Sequence, residues 1–300
     1  MNLDALARRA RKLSRPYCVT AGKGFRLKDF DPDDTGPLNS AGKEQAQEAL
    51  AEDIGALAEL QNRLYAQDRW AVLLIFQAMD AAGKDSAIKH VMSGINPQGC
   101  QVFAFKTPSS EELDHDYLWR CLRCMPERGR IGIFNRSYYE EVLVVRVHPE
   151  FLQRQKLPDR LVTPDIWQER FEDIRSTERY LGRNGVLVRK FFLHVSRKEQ
   201  KARFLQRLED PEKHWKFAAA DAAERRFWPD YMAAYEDMIR NTAAPEAPWY
   251  VVPADNKWFT RRVVAAAVID SLCGLDLRYP AVDTAKRMEM ATAREALLAE

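Results

Sequence analysis

The chain has 300 residues, 46% of them hydrophobic, which is enough for one large domain or two small ones with a sizeable core. Its 46 basic and 44 acidic residues nearly cancel, so net charge does not identify a partner. No apolar stretch approaches the roughly 18 residues that a membrane span requires, and five scattered cysteines are typical of a reducing cytoplasm. We therefore expect a cytoplasmic globular protein without a membrane partner.

After a predicted N-terminal extension (1–42) and a helical pattern, the first predicted strand is followed by a loop of small residues. The apolar run Trp70–Phe76 has the length of a buried strand, and a new helical pattern begins after Gly83 and Lys84. A buried strand, a tight loop and a helix N-terminus form a cradle in which backbone N–H groups and the helix dipole favour phosphate. We predict that Ala82, Gly83 and Lys84 bind phosphate, the alternative being an ordinary strand-to-helix turn.

Two acidic residues of this loop region, Asp80 and Asp85, are unexpected beside a site for anions. Ala78 stands where the usual phosphate-loop pattern has its first glycine, and Asp85 replaces the Ser or Thr that holds Mg²⁺. Carboxylates beside a phosphate cradle are tolerable when a divalent cation lies between the two anions. We therefore predict that Asp80 is a Mg²⁺ ligand, while Asp85 is either a second ligand or only a helix cap.

The remaining pattern alternates strands with helices, which predicts a three-layer α/β fold around a mostly parallel five-stranded sheet. We expect one domain over residues 1–300, with a helical lid at about 197–226 and a C-terminal tail at about 283–300. The four later strands are predicted at Val102–Phe105, Arg130–Asn135, Val186–Val195 and Trp249–Pro253.

The strand ending at Asn135 leads to a second candidate site. Arg136 follows at the carboxyl end of that strand, where ligands of open α/β sheets bind, and a guanidinium there can clamp phosphoryl oxygens. The alternative is a surface arginine on a loop. Ser137 and Glu140 have the spacing of a capping box, which gives Glu140 a structural role as an alternative to a functional one.

The segment 197–226 is rich in basic residues and is broken at Asp210-Pro211. A basic, hinged pair of helices can close over a phosphate cradle, neutralise charge and exclude water. Mixed-charge helices are more often solvated faces, and Glu199, Glu209 and Glu212 balance many of these cations.

Several separated motifs now give the chain a family resemblance. It resembles the family-2 polyphosphate kinases, phosphate-loop enzymes that move a terminal phosphoryl group between inorganic polyphosphate and a nucleotide. The similarity covers roughly residues 20 to 280, and it implies a P-loop kinase fold. Its most specific pieces are Phe76–Asp85, Ile95–Pro97, His115–Arg120, Phe134–Tyr139 and Asp210–Lys216.

The resemblance also implies roles for single residues. It makes Asp80 the Mg²⁺ ligand, and Glu140 places the chain in the branch that accepts nucleoside monophosphates and diphosphates. Asn135 stands where many members have Asp, so a second metal carboxylate stays open. The residues that match its catalytic positions are Asp80, Lys84, Asp85 and Arg136. Those that match its phosphate-binding lid are Lys198, Arg203 and Lys216, and those that match its nucleotide-binding positions are Arg120 and Glu140.

The expected reaction is reversible transfer of a phosphoryl group from polyphosphate to AMP, ADP or their guanine counterparts. It would need Mg²⁺, with Mn²⁺ as the alternative ion, and would be carried out by a homo-oligomer without a nucleic-acid partner. Two other classes stay open, an ATP-dependent nucleotide kinase with a phosphate loop and a non-catalytic polyanion-binding protein.

Overall fold

A computed structural model describes residues 3–37 and 43–300, and its centre is a six-stranded sheet in the order β1-β6-β5-β2-β4-β3. Only β1 is antiparallel to its neighbour. The α/β prediction with a mostly parallel sheet is confirmed, but the strand count was one too low because β1 has only two residues. The strands are β1 (Cys18–Val19), β2 (Ala71–Gln77), β3 (Cys100–Ala104), β4 (Ile131–Asn135), β5 (Val186–His194) and β6 (Trp249–Pro253).

Helices surround this sheet. Eight of the α-helices in the described part of the chain have eight or more residues, and the others are single turns or little more. In chain order they are α1 (Leu3–Ser14), α2 (Lys43–Gln67), α3 (Lys84–Val91), α4 (Ser110–Leu113), α5 (Trp119–Leu122), α6 (Val144–Val147), α7 (Glu150–Gln153), α8 (Ile166–Arg183), α9 (Arg197–Glu209), α10 (Ala219–Ala223), α11 (Trp228–Thr242), α12 (Lys257–Cys273) and α13 (Thr284–Leu298).

Adjacent residues of β5 show that helices cover both faces of the sheet. Successive side chains of a strand point to opposite faces. Arg189 donates to Ser271 Oγ on α12 at 2.8 Å, whereas Lys190 donates to Glu178 on α8 at 2.6 Å. Helices α1, α2 and α3 pack with α12, and α11 packs with α8, which completes the three predicted layers.

The position of the loop follows from the burial of β2. All seven residues of β2 are buried, as expected of a central parallel strand that is covered on both faces. Phe76 is in register with Asn135 of β4 and with Phe191 of β5. The segments after β2, β4 and β5 therefore start at the same edge of the sheet, where ligands of open α/β folds bind.

Local side-chain hydrogen bonds start and interrupt the helical segment between Ser109 and Leu122. Ser109 and Glu112 form the capping box that their spacing predicts, with both reciprocal bonds present. The sequence pattern predicts that this helix continues through Leu118 and Leu122, but α4 ends at Leu113 and α5 starts at Trp119. Asp116 accepts the Leu118 N–H at 2.9 Å, and such a bond competes with the helical pattern.

The C-terminal tail is exposed, and part of the N-terminal extension lies outside the described residues. The predicted C-terminal helix is present as α13, and all of its residues are exposed. Positions 1–2 and 38–42 of the predicted N-terminal extension lie outside the described residues. Among those described, no helix combines the length and apolar character needed to cross a bilayer. The proposed boundaries of extension, lid and tail stay predictions.

Candidate active site

The loop after β2 holds its lysine against its own backbone. Lys84 is the first residue of α3, and its Nζ donates to the Ala78 carbonyl at 2.8 Å. Ala81 and Gly83 both have positive φ, 63° and 107°. Such a conformation costs a non-glycine residue about 1–2 kcal/mol and is seen mainly where structure imposes it at functional sites. The three predicted phosphate-binding residues thus lie in one tight turn that starts at the strained Ala81.

The loop carries Lys84 in an environment that disfavours extra positive charge. Burial, and then the nearby Arg136, lowers the pKa of the Lys84 ammonium, while Asp80, Glu140 and Asp85 oppose that shift. Only 8% of the residue is exposed. An ammonium with one internal hydrogen bond retains donors for a phosphate oxygen, and such an anion would favour the charged form of Lys84.

Arg136 links the loop to the segment after β4. Its backbone N–H donates to the Phe76 carbonyl at 3.0 Å, and its φ is 64°, again in the left-handed region. Its guanidinium donates to Asp80 Oδ1 at 2.7 Å and lies 3.5 Å from Glu140 Oε2. Glu140, ahead of Asp80, raises the Arg136 pKa. Asp80, Arg136 and Glu140 therefore form one ion-paired group beside the loop.

Glu140 does not act as the cap that its spacing with Ser137 suggested. The Ser137 hydroxyl accepts the Tyr139 N–H in a short 3-10 turn. The Glu140 carboxylate instead accepts from Gln77 Nε2 at 3.0 Å and faces Arg136. The structure thus removes the capping explanation for Glu140 and aims its charge at the candidate site.

Asp85 is likewise not a helix cap. Gly83 occupies the N-cap position of α3, where there is no side-chain capping bond. Asp85 is exposed, and its Oδ1 accepts from Asn135 Nδ2 at 2.7 Å. Asn135 and Asp85 thus bridge the ends of β4 and the loop, and Asp85 remains a candidate metal ligand.

The first helix of the predicted lid packs directly onto the loop. Arg203 is 6% exposed, and its Nη1 donates to the carbonyls of Ala81 (3.1 Å) and Ala82 (2.7 Å). Its Nη2 donates to the carbonyls of Ala254 and Asp255. Arg203 therefore ties the loop to the segment after β6, in addition to any contact with a phosphate.

The other two predicted lid cations are placed differently. Lys198 is exposed on α9, and the side chain of Lys216 lies outside the described residues. Gln200 of α9 was not predicted; its Nε2 donates to the Asp80 carbonyl at 2.9 Å, and Arg225 donates to its Oε1 at 2.5 Å. A glutamine in a charged helix carries no sequence signal for this contact.

A cavity of about 160 Å³ opens beside Arg136 and brings together both predicted nucleotide-binding residues, Arg120 and Glu140. Arg120 donates to the Lys106 carbonyl at 2.8 Å and lies 5.5 Å from the centre of the Phe105 ring. Sequence reasoning missed Lys106, although it closely follows β3 at the carboxyl edge. It also missed other lining residues, among them Phe105, Phe151 and Arg154.

The donor set fits a divalent ion that takes most of its ligands from substrate. No group of three His, Cys, Asp or Glu side chains suited to a metal occurs in residues 3–37 and 43–300. Mg²⁺ is usually held by one or two carboxylates together with substrate phosphates and water. Asp80, 31% exposed beside the loop, offers such a carboxylate.

Comparison with known proteins agrees with this geometry. Residues 40–278 match the family described as Polyphosphate kinase 2 (PPK2). An ADP-polyphosphate phosphotransferase of Rhodopseudomonas palustris is 52% identical over 257 residues, which cover 85% of this chain and 89% of that protein. An AMP/ADP-polyphosphate phosphotransferase of Meiothermus ruber is 44% identical over 271 residues, covering 90% and 97%.

A solved structure extends the similarity to three dimensions. The crystal structure of Polyphosphate Kinase 2 from Arthrobacter aurescens TC1 superposes with a TM-score of 0.84 at 39% identity, covering 92% of this chain and 95% of that one. The matched part of the chain contains every strand from β2 to β6 and every residue of the candidate site. This protein therefore belongs to the polyphosphate kinase 2 family.

Proposed function

We propose that the protein transfers the terminal phosphoryl group of inorganic polyphosphate to AMP and ADP, and to their guanine counterparts, with the help of Mg²⁺. The observation that carries the proposal is the loop itself: Lys84 and the ion pair of Arg136 with Asp80 lie at the carboxyl edge of the sheet, and Arg136 also lines a cavity with Arg120 and Glu140. The names of the relatives, which specify ADP or AMP/ADP and polyphosphate, support the same substrates.

The transfer needs positioning and charge neutralisation more than a strong base. An oxygen of the acceptor phosphate, already ionised at neutral pH, forms a bond to the terminal phosphorus. The bond from that phosphorus to its bridging oxygen breaks, and the shortened polyphosphate leaves as an anion. Cations around the loop stabilise the negative charge on the transferring group, as in other phosphoryl transfers.

The residues at the centre of the site have distinct roles in this scheme. Lys84 and Arg136 bind phosphoryl oxygens, and Asp80 would hold Mg²⁺, which supplies charge neutralisation between the phosphates. Glu140 orients Arg136, and Arg120 with Phe105 bounds the acceptor cavity. Lys198 and Lys216 stay candidate phosphate contacts of the lid. A homo-oligomeric state and a cytoplasmic location stay predictions from the sequence.

One assay tests the proposal. The protein is incubated with ADP, Mg²⁺ and long-chain polyphosphate as the sole phosphoryl donor, and ATP formation is followed; AMP and GDP then replace ADP. We expect nucleoside triphosphate only when polyphosphate and a divalent ion are both present. Formation of ADP from AMP only with ATP as donor would instead indicate an ordinary nucleotide kinase. Binding of polyphosphate without any turnover would indicate a polyanion-binding protein.

A further inference from the structure

Helix α9 holds three successive carbonyls of the phosphate loop. Gln200 Nε2 donates to the Asp80 carbonyl at 2.9 Å. Arg203 Nη1 donates to the carbonyls of Ala81 at 3.1 Å and Ala82 at 2.7 Å. Gln200 and Arg203 are three residues apart, so they lie on the same face of α9. One face of this helix therefore fixes the direction of the loop backbone.

The N–H groups of the same peptides point away from α9. No peptide bond among the described residues is cis, and in a planar trans peptide the N–H is antiparallel to the C=O. The N–H groups of Ala81 and Gly83 therefore face away from the helix, and neither donates to any atom of the described residues. Both residues have positive φ, and successive N–H groups in such a turn form a concave site for anions.

The orientation of the Gln200 side-chain amide follows from its two partners. Arg225 Nη1 donates to Gln200 Oε1 at 2.5 Å. A guanidinium can only donate and a backbone carbonyl can only accept, so one orientation of the amide satisfies both contacts. Arg225 Nη2 also donates to the Arg197 carbonyl at 3.1 Å, which ties it to the first turn of α9. Arg225 thus fixes which end of the Gln200 amide faces the loop.

Gln200 and Arg203 differ in what else they could do at the site. Arg203 carries a charge that could itself contact a phosphate, so a variant of Arg203 would lose two kinds of contact at once. Gln200 is neutral and 1% exposed, and both polar atoms of its amide have protein partners. A variant of Gln200 therefore reports on the direction of the loop backbone alone.

We propose that Gln200 is a positioning residue for phosphoryl transfer, because it turns the Asp80–Ala81 peptide so that the Ala81 N–H faces the phosphoryl oxygens of the donor. The inference rests on the proposed function and concerns the backbone of the same loop. A donor that is in place before the substrate binds costs no reorganisation in the transition state. Helix α9 of the predicted lid then contributes to phosphate binding through the loop backbone as well as through its cations.

The kinetic test uses Gln200→Met, which removes both amide contacts without adding charge. We expect kcat/KM for polyphosphate to fall about tenfold, because the Ala81 N–H is no longer held towards the transferring group. The KM for ADP should change less than about twofold, because the acceptor cavity is lined by residues that follow β3 and β4. Gln200→Glu keeps an acceptor for Arg225 but cannot donate to the Asp80 carbonyl, and it should lower kcat/KM at least as far.

The matched control is Gln206→Met, at an exposed glutamine of the same helix. It makes the same chemical change without a contact to the loop, so both kinetic constants and the urea midpoint should stay near those of the wild type. The urea midpoint of Gln200→Met, measured beside this control, separates a change in the site from a loss of folded protein.

An NMR measurement reads the peptide itself. Protein labelled with 13C at the aspartate carbonyls and with 15N at alanine gives one signal for each Asp–Ala peptide, and Asp80→Asn identifies the Ala81 signal because it removes one labelled carbonyl. We expect tripolyphosphate, added without nucleotide, to shift the Ala81 N–H in the wild type and in Gln206→Met. The shift should be less than about half as large in Gln200→Met. The sequence has three such peptides, Asp4–Ala5, Asp80–Ala81 and Asp221–Ala222.

The two readouts separate failure of this inference from failure of the proposed function. If the wild type makes no nucleoside triphosphate from polyphosphate, the proposed function is wrong, while the Ala81 signal still tests the contact with phosphate. If the wild type is active but Gln200→Met keeps kcat/KM for polyphosphate within about twofold of Gln206→Met, the positioning role is wrong. An Ala81 signal that tripolyphosphate does not move, or equal kinetic losses for polyphosphate and ADP, would also overturn it.

Discussion

Two lysines close to the central strand β2 illustrate how the same side chain becomes structural or functional. Lys190 on β5 is fully buried, and its three donors are all used: by Glu178 at 2.6 Å, the Thr242 carbonyl at 2.8 Å and Tyr139 Oη at 3.0 Å. Glu178 in turn accepts from Tyr138 and Tyr139. This network is complete and leaves nothing for a ligand.

Lys84 lies at the end of the neighbouring strand and is also largely buried, but its network is incomplete. One carbonyl accepts from its ammonium, and the surrounding Asp80, Arg136 and Glu140 remain partly exposed. The comparison teaches that burial of a charge does not separate structure from function. What separates them is whether the protein itself supplies all the hydrogen-bond partners.

The largest expected effect tests the structural lysine. Lys190→Met should reduce the free energy of unfolding by about 3–5 kcal/mol, because it leaves Glu178 buried without its cation. The urea midpoint measures this loss, and Lys84→Met is the matched control, which should change stability far less. A Lys190→Met protein as stable as Lys84→Met would show that Glu178 is satisfied by the two tyrosines alone.

The functional lysine should give the opposite result. Lys84→Ala should lower kcat at least about 100-fold, as loss of one donor to a developing oxyanion does, which corresponds to about 2.7 kcal/mol of barrier. The unfolding midpoint should stay near that of the wild type. Lys89→Ala, an exposed lysine of the same helix, serves as control. Near-normal turnover of Lys84→Ala would remove this residue from the reacting centre.

This contrast also shows what the sequence could and could not predict. The loop, Asp80 and Arg136 follow from strand periodicity and from the rule that carboxyl ends of parallel strands share an edge. Lys190 looked like one residue of a strand, because its partners Glu178 and Thr242 are distant in sequence. Arg203 was predicted only as a phosphate contact. Its hydrogen bonds to the Ala82 and Asp255 carbonyls could not be predicted, because these partners are also distant in sequence.

His194 tests the same principle with a partly buried imidazole. Its Nδ1 is buried and makes no hydrogen bond with any of the described residues, and burial lowers the pKa of the imidazole to about 4. Below about pH 6.5 this histidine binds a proton in the unfolded chain but not in the folded protein. The free energy of unfolding therefore decreases as the pH decreases, by about 2 kcal/mol from pH 7 to pH 5. Between pH 7 and pH 5, the urea midpoint of His194→Gln should therefore decrease less than that of the wild type. Equal losses would assign the acid sensitivity to other groups.

The smallest expected effect concerns Glu140, whose carboxylate faces Arg136 and lines the acceptor cavity. Glu140→Asn removes a negative charge that faces Arg136. ADP carries one more phosphate than AMP, so loss of a nearby carboxylate should favour ADP more. We expect the ratio of kcat/KM for AMP to that for ADP to fall about tenfold, or about 1.4 kcal/mol. Gln77→Leu, which removes only the 3.0 Å contact to the same carboxylate, should shift the ratio less. An unchanged ratio in Glu140→Asn would mean that acceptor choice is made elsewhere in the cavity.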